Sequence, residues 1–303
     1  MKRDDKTRAA AVSSGPIYGG DFDFDTIRMI ALDLDGTTLT RNGLTRRTKE
    51  TLEEAIRRGI HVVIATGRVY ASLPEAVKNI QGLQYIITSN GAHISDAATG
   101  EILYSDCMEP EAVDLVLEIL PQEPYPVEVF TGGKAYIARN IYEDLAQNGS
   151  DFMSAKYVLR TRTPVDDIYA LMREHREAIE NINVHFAAQE ARMAMWERFA
   201  KLPHMTVTSS THHNIEIGGV TTSKAAALAE VCGRLGLELP HVMAFGDSPN
   251  DLAMLRECGF SVAMGNATPD IKAAADYVTI TNEEEGNDRM QEEIQANYDR
   301  IRQ

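Results

Sequence analysis

Cysteine is scarce in this chain. Cys107, Cys232 and Cys258 are the whole complement, odd in number and far apart. No C-x-x-C pair or zinc spacing exists among them, which excludes a disulfide framework and a thiolate metal site. Buried thiols in a reducing cytoplasm are the expectation. Long apolar runs are missing too. None approaches the roughly 20 residues that span a bilayer, and Ala9-Ala10-Ala11-Val12 is too short for a secretory core, so residues 1–23 are expected to be a disordered tail. Basic residues are outnumbered, with 30 Lys and Arg against 45 Asp and Glu and a formal net charge of −15. That balance argues against a nucleic-acid surface and against docking on anionic lipid. An anionic substrate would need a bound cation and local Lys or Arg to reverse the field. Repeats and low-complexity tracts are absent, and 303 residues suit two domains better than one core.

What is present has a clear rhythm. Met29 to Leu32 is a short, continuously apolar run, as expected of a strand buried on both faces of a parallel sheet. Arg46 to Arg58 reads as a helix stopped by Gly59. Ile60 to Ala65 and Tyr85 to Thr88 are further apolar runs, ending in Thr66-Gly67-Arg68 and Ser89-Asn90-Gly91. From about Met108 the pattern changes: a helix over Glu111 to Leu120, a hairpin joining Val127–Phe130 to Ala135–Ala138 through Thr131-Gly132-Gly133-Lys134, then helices over Tyr169 to Glu180 and Ala187 to Ala200. After His213 the first rhythm returns, with Asn214 to Ile217 read as a strand, a helix opening at Ser223, and apolar runs over His241 to Phe245, Phe260 to Met264 and Tyr277 to Ile280. A surface helix is expected at the C-terminus. The expected fold is α/β: a Rossmann-like parallel-sheet core over 24–107 and 207–303, helices on both faces, and an inserted α+β cap domain over 108–206.

In such sheets ligands sit beyond the carboxyl ends of the strands, and acids gather there. Asp33 and Asp35 follow the first run, two residues apart, where strand alternation would aim both at one volume. Close carboxylates repel, and a chain keeps such a pair for a cation or to carry a proton. Gly36 and Thr37 fit a tight anion-facing loop. Asp247 and Asp251 occupy a second tip. A single Asp at a strand end is usually a turn or cap residue; four acids on two tips suit a hard-oxygen Mg²⁺ site. Lys224, in the first turn of a helix, means little alone because the helix dipole disfavours it there, but beside the acids it could balance them and hold a phosphate. Thr66 and Gly67 offer a hydroxyl and backbone N–H groups, with capping as the plainer account. Arg68 reads equally as an anion contact or a surface residue. Asn90 and Asn250 carry amides suited to orienting a phosphate, or are a turn residue and a helix cap. His212-His213 lacks further ligands, Trp196 reads as packing, and Glu283-Glu284-Glu285 as a solvated run.

These residues in order resemble the haloacid dehalogenase superfamily. Asp33-Leu34-Asp35-Gly36-Thr37, Thr66-Gly67-Arg68, Lys224 and Gly246-Asp247-Ser248-Pro249-Asn250-Asp251 match its four motifs. Ser89-Asn90-Gly91-Ala92 and the long insertion make the chain similar to the Cof-type capped phosphatases. The resemblance implies that Asp33 is the nucleophile and a Mg²⁺ ligand. Asp35 would be the general acid/base, with its backbone carbonyl on the metal, and Asp247 a further metal ligand. Thr66, Lys224 and Asn250 would bind phosphate, and Asp251 would support the metal or Lys224. Residues 1–27 have no counterpart in the family pattern, and Asn287-Asp288 is more polar than usual there. The implied activity is hydrolysis of small phosphorylated metabolites, sugar phosphates foremost, by a cytoplasmic monomer or small homo-oligomer. Two other readings stay open: a phosphomutase, which returns the phosphoryl group to a sugar, and a non-catalytic receiver-like switch, against which Asp35 argues. Gly132, Gly133, Lys134 and Arg139 are either leaving-group contacts or a solvated hairpin.

Overall fold

The structure is a computed structural model in which residues 26–283 are described. The expected N-terminal tail, the C-terminal helix and Asn287-Asp288 lie outside the described residues. Two sheets organise the chain. Strands β1 (Met29–Leu32), β2 (His61–Ala65), β3 (Tyr85–Thr88), β4 (His93–Asp96) and β5 (Ile102–Ser105) begin the first. The chain then builds β6 (Val127–Thr131), β7 (Lys134–Ala138), β8 (Arg162–Val165), β9 (Ile179–His185), β10 (Met205–Thr208) and β11 (Asn214–Gly219), and returns to the first sheet with β12 (Val242–Gly246), β13 (Phe260–Ala263) and β14 (Tyr277–Val278).

The eight-stranded sheet has the order β14-β13-β12-β1-β2-β3-β4-β5. From β14 to β3 every neighbour is parallel, while β4 and β5 are antiparallel. Continuous apolar runs fit this sheet because helices cover both faces. On one face Ile30, Leu32, Ile64 and Phe245 pack with Leu52 and Ala55 of the helix Arg46–Arg57. On the other, Met29, Ala31, Val63 and Ala244 pack with Ala227, Leu228, Val231 and Cys232 of the helix Lys224–Leu235. The adjacent parallel strands β12, β1, β2 and β3 therefore bring four tips to one sheet edge.

The six-stranded sheet, β10-β11-β9-β6-β7-β8, is antiparallel apart from the β7–β8 pair. One face packs Val129, Ile182, Val184, Ile215 and Ile217 under three helices through Val116, Met172 and Phe199. The other face carries Glu128, Asn183 and Glu216 in cross-strand register. The hairpin expected at Gly132-Gly133 forms, both glycines at positive φ as the tight turn requires. Trp196 packs at the edge of the apolar cluster.

Two expectations change. Asn214 to Ile217, read as the return of the parallel core, instead opens β11, antiparallel to both β9 and β10. Its polar–apolar alternation is the signature of a sheet with one apolar face, unlike the continuous runs of the core strands. The helix read over Tyr169 to Glu180 ends at Glu174, and Glu180 belongs to β9. The β9–β6 register shifts beside Glu180, a bulge that re-aims this buried side chain.

Candidate active site

Strand β1 ends at Leu32, and Asp33 follows with its N–H on the carbonyl of Phe245 in β12 (3.0 Å). Across the sheet edge, Ser223 caps the helix Lys224–Leu235, its hydroxyl accepting from the Ala226 N–H. Lys224 has a fully buried side chain, and its Nζ donates to Asp33 Oδ1 (2.5 Å) and Asp251 Oδ1 (2.7 Å). The other oxygen of Asp251 accepts the backbone N–H groups of Asp247 (2.9 Å) and Ser248 (3.0 Å). Asp251 thus spends its lone pairs within the protein, orienting Lys224 and the β12 tip.

Asp33, Asp247 and Asp251 each place an oxygen within 4.8 Å of the others. Three carboxylates and one ammonium leave two negative charges in a shielded volume. Burial first, then the Asp251 charge, drives the Asp33 carboxyl well above its ordinary range against the pull of Lys224. The same causes push Asp247 up to about 6, opposed by the Thr37 hydroxyl on its Oδ1 (3.0 Å). Lys224 is held above its ordinary range by the two carboxylates although burial opposes it. An all-oxygen set with two uncompensated charges fits a hard divalent cation, which would restore these carboxyls to their ionised form. Gly36 makes the approach possible: at φ +80° its missing Cβ would collide with the Asp247 carboxylate. Asn266 Nδ2 ties the Gly36 carbonyl to the same tip (2.9 Å).

Asp35 does not join this cluster. The chain leaves the strand at Asp33, so alternation no longer governs Asp35. Its half-exposed carboxylate pairs with Arg68 instead, Nε to Oδ2 at 2.7 Å and Nη2 to Oδ1 at 2.6 Å. Thr66 is buried at the β2 tip, its hydroxyl accepting the Arg68 N–H (3.1 Å). Gly67 faces Asn90, whose Oδ1 would lie 3.0 Å from an added Cβ. Asn90, at φ 58°, accepts from Asn250 Nδ2 (3.0 Å) and donates to Glu216 Oε2 (2.6 Å). Asn250 Oδ1 is buried without a hydrogen-bond partner, an acceptor awaiting a donor.

Sequence reasoning missed the polar face of the six-stranded sheet. Glu180 accepts from Ser89 Oγ and from the Gly133 N–H, and Glu216 holds Asn90, so two buried carboxylates grip the loop after β3. Asn214 Nδ2 links Glu216 to Asn183 (3.0 Å each), and Asn183 Nδ2 reaches Glu128 (3.2 Å). Arg162 closes the chain with two 2.9 Å bonds to Glu128. The alternation of polar residues in Asn181 to His185 and Asn214 to Glu216 was the available signal. Gly133 does meet the first sheet's side of the molecule, its carbonyl accepting from the Ala71 N–H (3.3 Å).

The haloacid dehalogenase-like hydrolase family model matches residues 30–287. Phosphatase YwpJ of Bacillus subtilis is 32% identical over 285 residues, covering 88% of this chain and all of that one. The 5-amino-6-(5-phospho-D-ribitylamino)uracil phosphatase YcsE of the same organism is 30% identical over 261 residues, covering 86% of this chain and 92% of YcsE. Among solved structures, a haloacid dehalogenase-like hydrolase from B. subtilis superposes with a TM-score of 0.75 at 30% identity, covering 88% of this chain and 99% of that one. The subclass IIB sugar phosphatase BT4131 shares the fold, with a TM-score of 0.72 at 22% identity over 88% of this chain and 98% of its own.

Proposed function

The chain belongs to the haloacid dehalogenase-like hydrolases, in their Cof-type branch, and is a phosphatase; from that premise we propose that it hydrolyses small phosphorylated metabolites, sugar phosphates foremost, with Mg²⁺ and an aspartyl-phosphate intermediate. The observation that carries the reading is the buried Asp33–Lys224–Asp251 array with Asp247 beside it. The carboxylates of Asp33 and Asp247, with the backbone carbonyl of Asp35, would hold Mg²⁺, which when bound neutralises charge between nucleophile and phosphate.

Lys224 fixes Asp33 through one oxygen, which aims the carboxylate and lowers the entropy cost of attack. Asp33 attacks phosphorus, forming the aspartyl-phosphate as the bond to the leaving oxygen breaks, and Asp35 gives that oxygen its proton. Asp35 then takes a proton from the water that attacks phosphorus, releasing inorganic phosphate and restoring Asp33. Thr66, Gly67, Asn90 and Asn250 line the tips where the phosphoryl oxygens lie, and Asn250 Oδ1 orients the donor that reaches it. The six-stranded unit acts as a cap whose polar face meets the leaving group. A 5-phospho-ribityl compound is the substrate named for YcsE, and a polyol phosphate suits a face built of Asn and Glu. Three free cysteines accord with a cytoplasmic location.

The test is purified protein in Mg²⁺ with p-nitrophenyl phosphate and a panel of sugar phosphates. Asp33→Asn abolishes turnover, Asp35→Asn leaves trace activity, and EDTA removes activity that Mg²⁺ restores. Near-normal phosphate release by Asp33→Asn would sink the nucleophile assignment. Phosphorus recovered as an isomerised sugar phosphate would instead identify a mutase.

A further inference from the structure

Ser89 and Asn90 have φ of 50° and 58°, in the left-handed region that is costly for a residue with a Cβ. Among the described residues, His204 alone shares this with them outside glycine. Asn enters the region more readily than most residues, Ser does not, and two in succession persist only where other contacts hold them. The loop Ser89–Gly91 is central to the site. The Ser89 N–H donates to the Arg68 carbonyl (2.9 Å) and the Asn90 N–H to the Thr66 carbonyl (3.0 Å), so the loop sets the β2 tip. Asn90 Oδ1 accepts from Asn250 at the β12 tip. Gly91 lies against the start of the Lys224 helix, where an added Cβ would stand 2.2 Å from the Ser223 carbonyl oxygen. One short loop thus fixes the spacing of Thr66, Asn250 and Lys224.

The side chains that hold the loop come from the other sheet. Glu180 of β9 accepts the Ser89 hydroxyl, and Glu216 of β11 accepts the Asn90 amide (2.6 Å). Each carboxylate is fixed by its own sheet's side. The second oxygen of Glu180 takes the Gly133 N–H (2.6 Å), and that of Glu216 takes the Ser210 hydroxyl (2.5 Å) and Asn214 Nδ2 (3.0 Å). Both side chains are buried, where a hydrogen bond to an ionised acceptor is short and strong. Ser89 and Asn90 therefore each meet a rigidly placed acceptor at the point where the backbone is strained.

We infer that Glu180 and Glu216 are positioning residues for the phosphate site: they hold the loop Ser89–Gly91 in its left-handed form, and the loop aligns the tips that bind phosphate. The two sheets are coupled through this loop, and the phosphate site is complete only with the six-stranded sheet docked. The inference rests on the reading of these tips as the phosphate site. A contact to the leaving group predicts something different, because inorganic phosphate has no leaving group and its affinity would not change.

The experiment measures competitive inhibition by inorganic phosphate, at saturating Mg²⁺, with p-nitrophenyl phosphate and a sugar phosphate as substrates. Ser89→Ala and Ser89→Gly both delete the hydroxyl, but only alanine keeps a Cβ that resists positive φ. The alanine variant raises the Ki of phosphate about tenfold, the scale of one orienting hydrogen bond, and the KM of both esters rises alike. The glycine variant stays within about threefold of wild type, since glycine takes this conformation freely. Glu216→Met raises Ki by a similar factor, and Glu216→Gln, which keeps an oxygen for the Asn90 amide, recovers most of the affinity. Equal inhibition constants for the alanine and glycine variants, an unchanged Ki in Glu216→Met, or losses confined to the sugar phosphate overturn the inference. Hydrogen exchange read by mass spectrometry needs no turnover. The Ser89 and Asn90 amides exchange several-fold faster in Glu216→Met while the β1 amides keep their wild-type rates. Unchanged loop exchange, or an acceleration shared by β1, overturns the inference. Should wild type release no phosphate from either ester, the phosphatase reading fails there, and the exchange rates still decide whether the carboxylate holds the loop.

Discussion

Lys224 sits where a helix dipole works against a cation by about 0.3–1 kcal/mol, and burial adds an effective cost of several kcal/mol. Its hydrogen bonds to Asp33 and Asp251 must outweigh both. Removing the ammonium leaves two buried carboxylates facing each other. Lys224→Met in metal-free buffer is therefore expected to lose about 3 kcal/mol of stability in urea unfolding at neutral pH; a loss below about 1 kcal/mol would contradict the compensating role. The sequence showed this only conditionally: position 224 alone reads as an ordinary surface lysine, and its balancing role depends on the helix packing beside the acids, as it does. The acids were legible for a local reason: each lies within a few residues of an apolar strand end, so the strand carries it to the sheet edge. Asp35 shows where that logic stops. Periodicity fails once the chain turns, and its partner, Arg68, is supplied by another strand tip. Asn90 was named while Glu216, which holds it, was not, since 126 positions separate them.

Strands reveal themselves to the degree that both faces are specified by their own sequence. The strands β1, β2, β3 and β12 are apolar apart from His61 and Thr88 at their ends because helices cover both sides, and they were readable. In β9 and β11 one face is apolar and the other polar but buried, so alternation resembles a solvated strand until the opposite layer is known. The element most exposed to this misreading is the row Glu216–Asn183–Glu128. Burial raises the cost of ionising Glu128, yet Arg162 and then His185 hold its carboxyl below the ordinary 4.5. A depressed folded-state pKa contributes stability that is fully present above the unfolded value and is lost as pH falls through the folded one. Urea unfolding at pH 7 and at about pH 3.5 is expected to show a larger acid-induced loss for wild type than for Glu128→Gln. The Gln variant starts from a lower stability at pH 7, because Arg162 remains buried without its counter-charge. Parallel losses in the two proteins would mean that Glu128 carries no share of the acid sensitivity.

The whole molecule carries a formal charge of −15, yet the function proposed for it requires binding a phosphate dianion. The two facts are compatible because they act over different distances. Inside the site, Lys224 and the proposed divalent cation would together cancel the three carboxylates over a few ångströms, where screening is weak. Outside, the surplus of 45 acidic over 30 basic side chains repels an approaching phosphate across the Debye length, about 8–10 Å at physiological salt. Encounter is then the step that feels the global charge, while chemistry feels the local one. With Mg²⁺ kept saturating, kcat/KM for a dianionic sugar phosphate is expected to rise as KCl is increased from about 20 to 200 mM, because salt screens the repulsion. At the same time kcat stays nearly constant, since the buried array is shielded from added ions. A fall in kcat/KM over that range would place the steering field with the local cations instead, and would mean that the cap and the strand tips together present a positive mouth within an acidic protein.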